Sequence, residues 1–294
     1  MNTVNTAVIK LSQFMGEIVE IYVNIHLFFN TAKGFWVKLL VVISWPLRII
    51  FNLPAQVVIV ANYFYGLYLF RIKNSLEIFG LENLPTDIGN VFFPNHQAWT
   101  DPWAIGISIS NLLKIIFYPS FVPWTVADKA NYANQWFGLF LWFAKITVVS
   151  RDVEGADFQA KERWKKRVLI GNLVLYPEGG RSRTKEIKPC KKDVARFIYD
   201  NYRSGNGGAY FKRAIPVRII GFDEIQPAEV DRSKIKKAVL DPSKVGGGKK
   251  CQIIIGKPIE FTQELFNQDF NRVHLQIGEI VTQSIAELTP HNSN

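Results

Sequence analysis

Residues 91–102 are Val91-Phe92-Phe93-Pro94-Asn95-His96-Gln97-Ala98-Trp99-Thr100-Asp101-Pro102, an apolar run, a polar turn and then a helix start. The run Val91–Pro94 has the length and side chains of a buried strand, and Pro102 suits the first turn of a helix. Further along the chain, short apolar runs alternate with helical stretches in the same way. This alternation is typical of an α/β domain, and we expect a mixed sheet flanked by helices.

The predicted α/β domain covers residues 74–294, long enough for a sizeable core. Its apolar runs predict seven strands: Leu76–Phe79, Val91–Pro94, Ile115–Tyr118, Ile146–Val149, Leu173–Tyr176, Ala214–Ile219 and Cys251–Ile255. The intervening stretches predict five helices: Pro102–Leu113, Asn131–Ala144, Phe158–Ile170, Lys191–Tyr202 and Asp269–Leu288. Residues 203–208 and 226–250 are predicted loops.

Residues 1–73 differ from the rest, because two apolar stretches, Phe35–Phe51 and Ala55–Phe70, lie on either side of Asn52-Leu53-Pro54. The proline predicts a helix break there. As a helix, the second stretch would be about 24 Å long, short of a hydrocarbon core of about 30 Å. We therefore predict a two-helix membrane-associating appendage that enters one leaflet as a hairpin. Burial of both helices against the protein is the alternative.

The net charge of +10 is concentrated in residues 151–250, where 24 Lys and Arg face 13 Asp and Glu. Such a block is either a solvated basic face or a surface for anionic lipid headgroups. Nucleic acid is not an expected partner, because the block lacks the interleaved aromatic residues of a stacking surface. Glu17 and Glu20 interrupt what would be the apolar region of a secretory signal. We therefore expect insertion into the membrane from the cytoplasmic side.

His96 and Asp101 are the candidate catalytic pair. Of the four histidines, only His96 has a carboxylate placed to orient it, five residues along and across a predicted strand-to-helix turn. On one regular helix these side chains would point apart, whereas the turn lets Asp101 accept a hydrogen bond from one imidazole nitrogen. The other nitrogen then takes a proton as a general base. A helix N-cap for Asp101 and a core or turn position for His96 are the structural alternatives.

A second unusual segment is Tyr176-Pro177-Glu178-Gly179-Gly180-Arg181-Ser182, which follows a predicted strand. Its glycines permit positive φ, and consecutive backbone N–H groups can form an anion-holding concavity there. Arg181 suits bidentate contact with phosphate oxygens. Glu178 would position Arg181 or accept from a substrate hydroxyl, while a β-turn with a surface salt bridge is the structural alternative. With His96, the segment indicates an enzyme that deprotonates a hydroxyl on a phosphate-bearing substrate.

The chain resembles the glycerolipid acyltransferases typified by 1-acylglycerol-3-phosphate acyltransferase. Asn95–Asp101 is similar to the family's NHxSxxD block, and Tyr176–Ser182 is similar to its FPEGTRS block. Two further blocks, similar to Ile146–Arg151 and Ala214–Val217, complete the family's order and spacing. The resemblance covers roughly residues 75–260.

The resemblance implies that His96 is the general base and Asp101 its orienting partner. It also implies a set of substrate-binding residues: Lys129, Arg151, Glu178, Gly179, Gly180 and Arg181. The implied reaction moves a fatty acyl group from acyl-CoA or acyl-carrier protein to the free hydroxyl of lysophosphatidate, giving phosphatidate. No covalent enzyme intermediate is required, which agrees with the lack of a G-x-S-x-G nucleophile elbow. The thioester is a substrate, and we expect neither a cofactor nor a bound metal.

Ala98, Gly180 and Tyr176 stand where the family usually has Ser, Thr and Phe. Gly180 lacks a hydroxyl near the acceptor, so another lysophospholipid, glycerol 3-phosphate or a lyso-aminolipid remains an alternative acceptor. A cluster of lysines either starts a solvated helix or contacts a carrier protein or CoA phosphates: Lys185, Lys188, Lys191 and Lys192.

A different class of function is a non-catalytic protein that binds anionic membranes through the appendage and the basic block. It predicts that His96→Ala leaves function intact, while charge reversal abolishes function at three positions: Lys165, Lys166 and Arg167. The paired imidazole and carboxylate argue against it, because lipid binding alone needs no oriented base.

Overall fold

A computed structural model of the chain describes residues 45–128, 144–149, 156–182, 184, 186–203, 210–226 and 245–289, together with Glu17, Glu20, Ile21, Val23, Asn24 and Leu27. Within these residues seven strands form one sheet: β1 (Ser75–Phe79), β2 (Asn90–Pro94), β3 (Trp124–Asp128), β4 (Ile146–Val149), β5 (Leu173–Val174), β6 (Arg213–Ile220) and β7 (Lys250–Ile255). Their order across the sheet is β1-β7-β6-β2-β5-β3-β4. Neighbouring strands are parallel except β6 and β7. The predicted mixed sheet is therefore confirmed.

Helices cover both faces of the sheet. They are α1 (Trp45–Leu67), α2 (Asp101–Ile109), α3 (Leu112–Phe117), α4 (Ala156–Ile170), α5 (Lys192–Arg203), α6 (Phe222–Ile225), α7 (Gln263–Phe266) and α8 (Phe270–Ala286). Strand β2 shows the layering, since Val91 and Phe93 enter one apolar cluster and Phe92 enters the other. Alternate side chains of a strand point to opposite faces, so β2 is buried on both.

The predicted helix break at Asn52-Leu53-Pro54 is wrong. Helix α1 runs from Trp45 to Leu67 with Pro54 inside it, and a π-helical turn, Tyr68–Ile72, continues it. The helix tolerates the N–H that Pro54 lacks, because contacts made just after the proline hold the helix in place. The Gln56 amide donates to the carbonyls of Ile115 and Ile116, both at 2.7 Å. The two-helix hairpin with its turn at Pro54 is accordingly replaced by one longer helix, and residues 35–44 lie outside the described part of the chain.

The predicted strand Ile115–Tyr118 is also wrong, because these residues belong to or end helix α3. The Asn111 side chain accepts from Lys114 N–H at 2.8 Å and so caps the helix N-terminus. The strand in this part of the sheet is β3, which pairs with β4 and β5 and which the sequence reading missed. The predicted helix Asn131–Ala144 and most of the two predicted loops lie outside the described residues.

The N-terminal helical residues contact the α/β part of the protein directly. Val23 is fully buried in the apolar cluster that also contains Trp164 and Val168. The Glu20 carboxylate pairs with Arg167, a fully buried guanidinium that stacks on Trp124 at 4.5 Å. The boundary placed between residues 73 and 74 stays a prediction, and these contacts cross it.

Much of the basic block has partners inside the protein. Lys165 pairs with Glu162 at 2.8 Å, and Arg196 pairs with Asp200 at 2.7 Å. Lys212 and Arg213 both bind Asp87. The hydrogen bond from Lys212 is the main cause that lowers the pKa of Asp87 to about 2. Several cations of the block therefore form ion pairs within the protein, which the sequence alone did not indicate.

Candidate active site

The site lies where the parallel strands β2 and β5 end side by side. Val91 pairs with Leu173 and Phe92 with Val174, so the segments after both strands leave the same edge of the sheet. Asn95 fixes the exit from β2, because its side chain accepts from Ile219 N–H at 2.6 Å and donates to Ile219 O at 2.9 Å. The carboxyl edge of parallel strands is where open α/β sheets place ligands.

His96 and Asp101 form a direct contact across the turn between β2 and α2. Nδ1 of His96 lies 2.8 Å from Oδ2 of Asp101. The carboxylate, which is fully buried, also accepts from the N–H groups of Gln97 at 2.8 Å and Ala98 at 3.0 Å. Asp101 therefore faces back into the turn, and the N-cap residue of α2 is Thr100.

This contact leaves one imidazole nitrogen available. Because a carboxylate only accepts, the proton between the two groups belongs to Nδ1, and Nε2 carries the lone pair. The His96 side chain is 19% exposed, and Nε2 has no hydrogen-bond partner among the described residues. The ring also stacks on Tyr176, with centroids 4.1 Å apart, so its orientation is held from a second side. Such an imidazole can accept a proton from a bound hydroxyl.

The main chain of His96 is held by the segment that follows β5. Its N–H donates to Oε1 of Glu178 at 2.9 Å, and its carbonyl accepts from Ser182 N–H at 2.7 Å. The two sequence blocks are thus joined at one residue, and the candidate base cannot shift without disturbing the Glu178 turn.

Glu178 is buried, and one of its oxygens remains available. Burial raises the pKa of its carboxyl, against the opposing effects of hydrogen bonds from the N–H groups of His96 and Lys188. Its Oε2 has no hydrogen-bond partner among the described residues. A buried oxygen in this state is costly unless a ligand or water satisfies it. Glu178 is therefore suited to accept a hydrogen bond from a substrate hydroxyl.

The two glycines play different parts in the turn. Gly179 has φ of +66°, and a β-carbon there would lie 3.0 Å from Cγ of Lys191. A side chain at Gly180 would meet nothing within 4 Å. Gly179 is required by the backbone and by the lysine that crosses it, whereas Gly180 faces open space. The guanidinium of Arg181 lies 4.9 Å from the centre of the Trp99 ring, beside the His96 turn.

Of the eight predicted site residues, the structure brings six together at this edge: His96, Asp101, Glu178, Gly179, Gly180 and Arg181. Lys129 and Arg151 lie outside the described residues. The sequence reading missed the roles of Ser182 and Tyr176 around His96, because both depend on β2 and β5 being neighbours.

The described side chains were also compared with the requirements of a metal site and of a cysteine nucleophile. No group of three or more His, Cys, Asp or Glu converges there as a metal ion requires. Burial raises the pKa of both the Cys190 and the Cys251 thiols to about 12, so neither forms a thiolate nucleophile near neutral pH.

The chain is similar in sequence to known acyltransferases. A family model described as Acyltransferase matches residues 75–212, which contain both sequence blocks. A 1-acyl-sn-glycerol-3-phosphate acyltransferase from Bacillus subtilis (strain 168) is 29% identical over 125 residues. That alignment spans 42% of this chain and 56% of the relative, so the chain matches little more than half of the relative's length.

The fold is also found in a solved structure. The crystal structure of the 1-acyl-sn-glycerophosphate (LPA) acyltransferase PlsC from Thermotoga maritima superposes with a TM-score of 0.53 at 17% identity. The match covers 99% of this chain and 98% of that one. The α/β fold is shared with a known transferase. Residues 75–212 are thus similar in sequence to the acyltransferase family, and the fold of the chain is similar to that of a 1-acyl-sn-glycerophosphate acyltransferase.

Proposed function

We propose that this protein transfers a fatty acyl group from a thioester, acyl-CoA or acyl-carrier protein, to the free hydroxyl of lysophosphatidate. The product is phosphatidate. The observation that carries the proposal is the contact of His96 Nδ1 with the fully buried Asp101 carboxylate, which leaves Nε2 free beside the Glu178 turn. The relatives named above, by their printed names, act on the same kind of acceptor.

The geometry supports a direct transfer. His96 Nε2 takes the proton of the acceptor hydroxyl, and the oxygen attacks the thioester carbonyl carbon. The carbon–sulfur bond then breaks, and the departing thiolate takes the proton back from the imidazolium. Asp101 stabilises that imidazolium, an arrangement that typically contributes ~10²–10⁴-fold in rate. Arg181, together with Lys129 and Arg151, would hold the phosphate of the acceptor.

We further propose that the protein associates with a membrane through α1 and α3. Among the described helices one, Leu53–Ile72, is long and apolar enough to cross a bilayer. One face of it packs on the α/β part, where Tyr65 contacts Trp103. Its other face carries exposed apolar side chains spaced four or seven residues apart: Leu53, Val57, Phe64, Tyr68 and Ile72. Four more from α3 and its end adjoin them: Leu113, Ile116, Phe117 and Tyr118.

An exposed apolar surface of this size marks an interaction site. It suits an interfacial position, since the helix also contacts the enzyme along its length. Insertion from the cytoplasmic side is part of the proposal and rests on the sequence alone.

A second acceptor is favoured by one observation, the open space at Gly180. A larger headgroup than that of lysophosphatidate, such as another lysophospholipid or a lyso-aminolipid, would find room there. The non-catalytic hypothesis loses part of its support, because all three cations it relies on have partners inside the protein. Lys165 and Arg167 form ion pairs, and Lys166 donates to Asn24 Oδ1 at 3.0 Å.

The test is acyl transfer by detergent-purified protein with lysophosphatidate, other lysophospholipids and both thioester donors. We expect turnover on lysophosphatidate that falls about 10²–10⁴-fold in His96→Ala. His274→Ala is the matched control, because His274 is on α8, away from the sheet edge, and its Nδ1 lies 3.1 Å from Asn271 O. A folded His96→Ala protein with the wild-type rate would exclude His96 as the base.

A further inference from the structure

Lys191, which immediately precedes helix α5, lies across the glycine turn of the site. A β-carbon placed on Gly179 would be 3.0 Å from its Cγ, 3.8 Å from its Cδ and 3.5 Å from its Cε. The aliphatic part of the side chain therefore lies flat on the face of Gly179 that lacks a side chain. The ammonium follows Cε by one bond, which puts its charge beside the turn that also carries Glu178 and Arg181.

The position of Lys191 is fixed by its backbone. Its N–H donates to Pro177 O at 2.8 Å, which ties it to the start of the same turn. The preceding N–H, of Cys190, donates to Thr282 Oγ1 on α8 at 3.1 Å. These two contacts fix the main chain of Lys191, so its side chain starts from a defined position beside the turn.

The charge of Lys191 is not used by the fold. Among the described residues its ammonium has neither a salt bridge nor a hydrogen bond to a side chain, unlike several cations of the basic block. Two neighbours behave differently. Lys188 Nζ donates to Arg181 O at 2.7 Å, and Lys192 Nζ lies 5.8 Å from the centre of the Phe270 ring. Of these three lysines, Lys191 alone combines a fixed position at the turn with an uncommitted ammonium in the described structure.

We propose that Lys191 is a further substrate-binding residue, which contacts a phosphate group of the substrate that occupies the Gly179–Gly180 turn. This inference rests on the proposed function. The N–H of Gly179 donates to Tyr176 O at 3.1 Å, so the turn supplies the Gly180 N–H and Arg181, and a second cation would complete an anion site. Glu178, the carboxyl within the turn, is buried, and its Oε1 is already engaged by the N–H of His96 at 2.9 Å. The phosphate belongs either to the acceptor or to the CoA part of the donor.

Kinetics of three variants distinguish these sources. Lys191→Gln keeps most of the aliphatic stem on Gly179 and removes the charge, Lys191→Arg keeps the charge, and Lys192→Gln is the control from the adjacent position. We expect Lys191→Gln to raise one KM about tenfold with kcat within twofold of wild type. A rise confined to lysophosphatidate assigns the acceptor phosphate, and one confined to acyl-CoA assigns the donor. Lys191→Arg and Lys192→Gln should stay close to wild type.

A binding measurement separates this inference from the proposed function. Inorganic phosphate, compared with chloride at equal ionic strength, should raise the Tm of the wild-type protein and of Lys192→Gln more than that of Lys191→Gln. This holds whether or not lysophosphatidate is the acceptor. Equal KM values and equal phosphate stabilisation in Lys191→Gln and wild type would overturn the assignment. A lower kcat with both KM values and phosphate stabilisation unchanged would also overturn it, because Lys191 would then only support the turn.

Discussion

The main-chain N–H of His96 donates to Oε1 of Glu178 at 2.9 Å, although 82 residues separate them in the sequence. The contact exists because β2 and β5 are parallel neighbours, whose following segments meet at one edge. It makes Glu178 a positioning residue for the candidate base, in addition to any contact it makes with substrate. The two functions proposed for this edge, proton transfer and anion binding, are therefore linked through one hydrogen bond.

Glu178 substitutions test this link. Glu178→Gln retains an oxygen that accepts from His96 N–H, whereas Glu178→Ala removes the acceptor and lets the turn shift. We expect kcat of the Gln variant to stay within about tenfold of wild type and kcat of the Ala variant to fall about 10²-fold, the usual cost of a misplacement near 1 Å. Steady-state kinetics with detergent-purified proteins measure both. Equal rates in the two variants would show that His96 is held by other contacts.

Asp101→Asn tests the orientation of the imidazole. Oδ2 of Asp101 is the oxygen that contacts His96 Nδ1 and accepts from Gln97 N–H, and both carboxylate oxygens lie 3.0 Å from Ala98 N. An amide that keeps its oxygen at this position retains the contact with His96, but it places its NH₂ group against Ala98 N–H and removes the negative charge that stabilises the imidazolium. We expect kcat to fall about 10²–10⁴-fold with a small change in KM. The contrary result, a raised KM with kcat preserved, would make Asp101 a binding residue instead.

The sequence predicts most strands of the sheet closely. β4 has the predicted bounds, and β2 and β7 differ from prediction by one residue, because short apolar runs between turn residues are typical of strands. The same reasoning fails for Ile115–Tyr118, an equally apolar run in which Ile115 is buried and the other three side chains are exposed at the end of a short helix. At Pro54 it fails because tertiary contacts outweigh a local helix breaker.

The candidate site could be predicted only in part, because some of its contacts join residues that are far apart in the sequence. The contact of His96 with Asp101 is local, and the spacing across one turn was enough to expect it. The contacts of His96 with Glu178 and Ser182 depend on strand order, which the spacing of residues along the chain does not contain. The uncommitted charge of Lys191 likewise becomes visible only once its position over Gly179 is known.

The two glycines of the turn should respond differently to substitution. Gly179→Ala forces a side chain into φ of +66° and against Lys191, so we expect a loss of stability of ~1–2 kcal/mol and of most activity.

Gly180→Thr enters open space and should leave Tm within a few degrees of wild type. It would also narrow the acceptor site, so we expect a shift in the rate ratio between lysophosphatidate and lysophospholipids with larger headgroups. Thermal unfolding and competition assays provide the two measurements, and an unchanged ratio would show that Gly180 does not face the acceptor.

Lys145 gives a pH dependence of stability with a defined sign. Burial of its ammonium lowers its pKa from 10.5 to about 7, and Nζ donates to the carbonyls of Pro119 and Val122. Between these two pH values the unfolded chain holds a proton that the folded chain lacks. The stability of the wild type should therefore rise with pH over this window, by at most about 1.4 kcal/mol per pH unit.

Lys145→Met removes the titrating group and supplies the comparison. Other groups titrate over the same range, so the quantity to measure is the difference in unfolding free energy between the two proteins from pH 7 to pH 10. We expect this difference to change steadily in favour of the wild type as the pH rises. A constant difference would mean that Lys145 stays protonated in the folded state and that its two carbonyl partners hold it as a cation.

The exposed apolar surface of α1 and α3 predicts how membrane binding can be separated from catalysis. Phe117 is 69% exposed at the end of α3, and Leu275, on α8, is 75% exposed. Phe117→Glu puts a charge on the surface proposed to enter the lipid, while Leu275→Glu makes the same change elsewhere. We expect the first variant to bind anionic vesicles about tenfold more weakly in a sedimentation assay and the second to bind like wild type.

Both should retain acyl transfer in detergent, because neither side chain is near His96. If Leu275→Glu weakened vesicle binding as much as Phe117→Glu, the effect would come from added negative charge, and α3 would lose its assignment as a membrane contact.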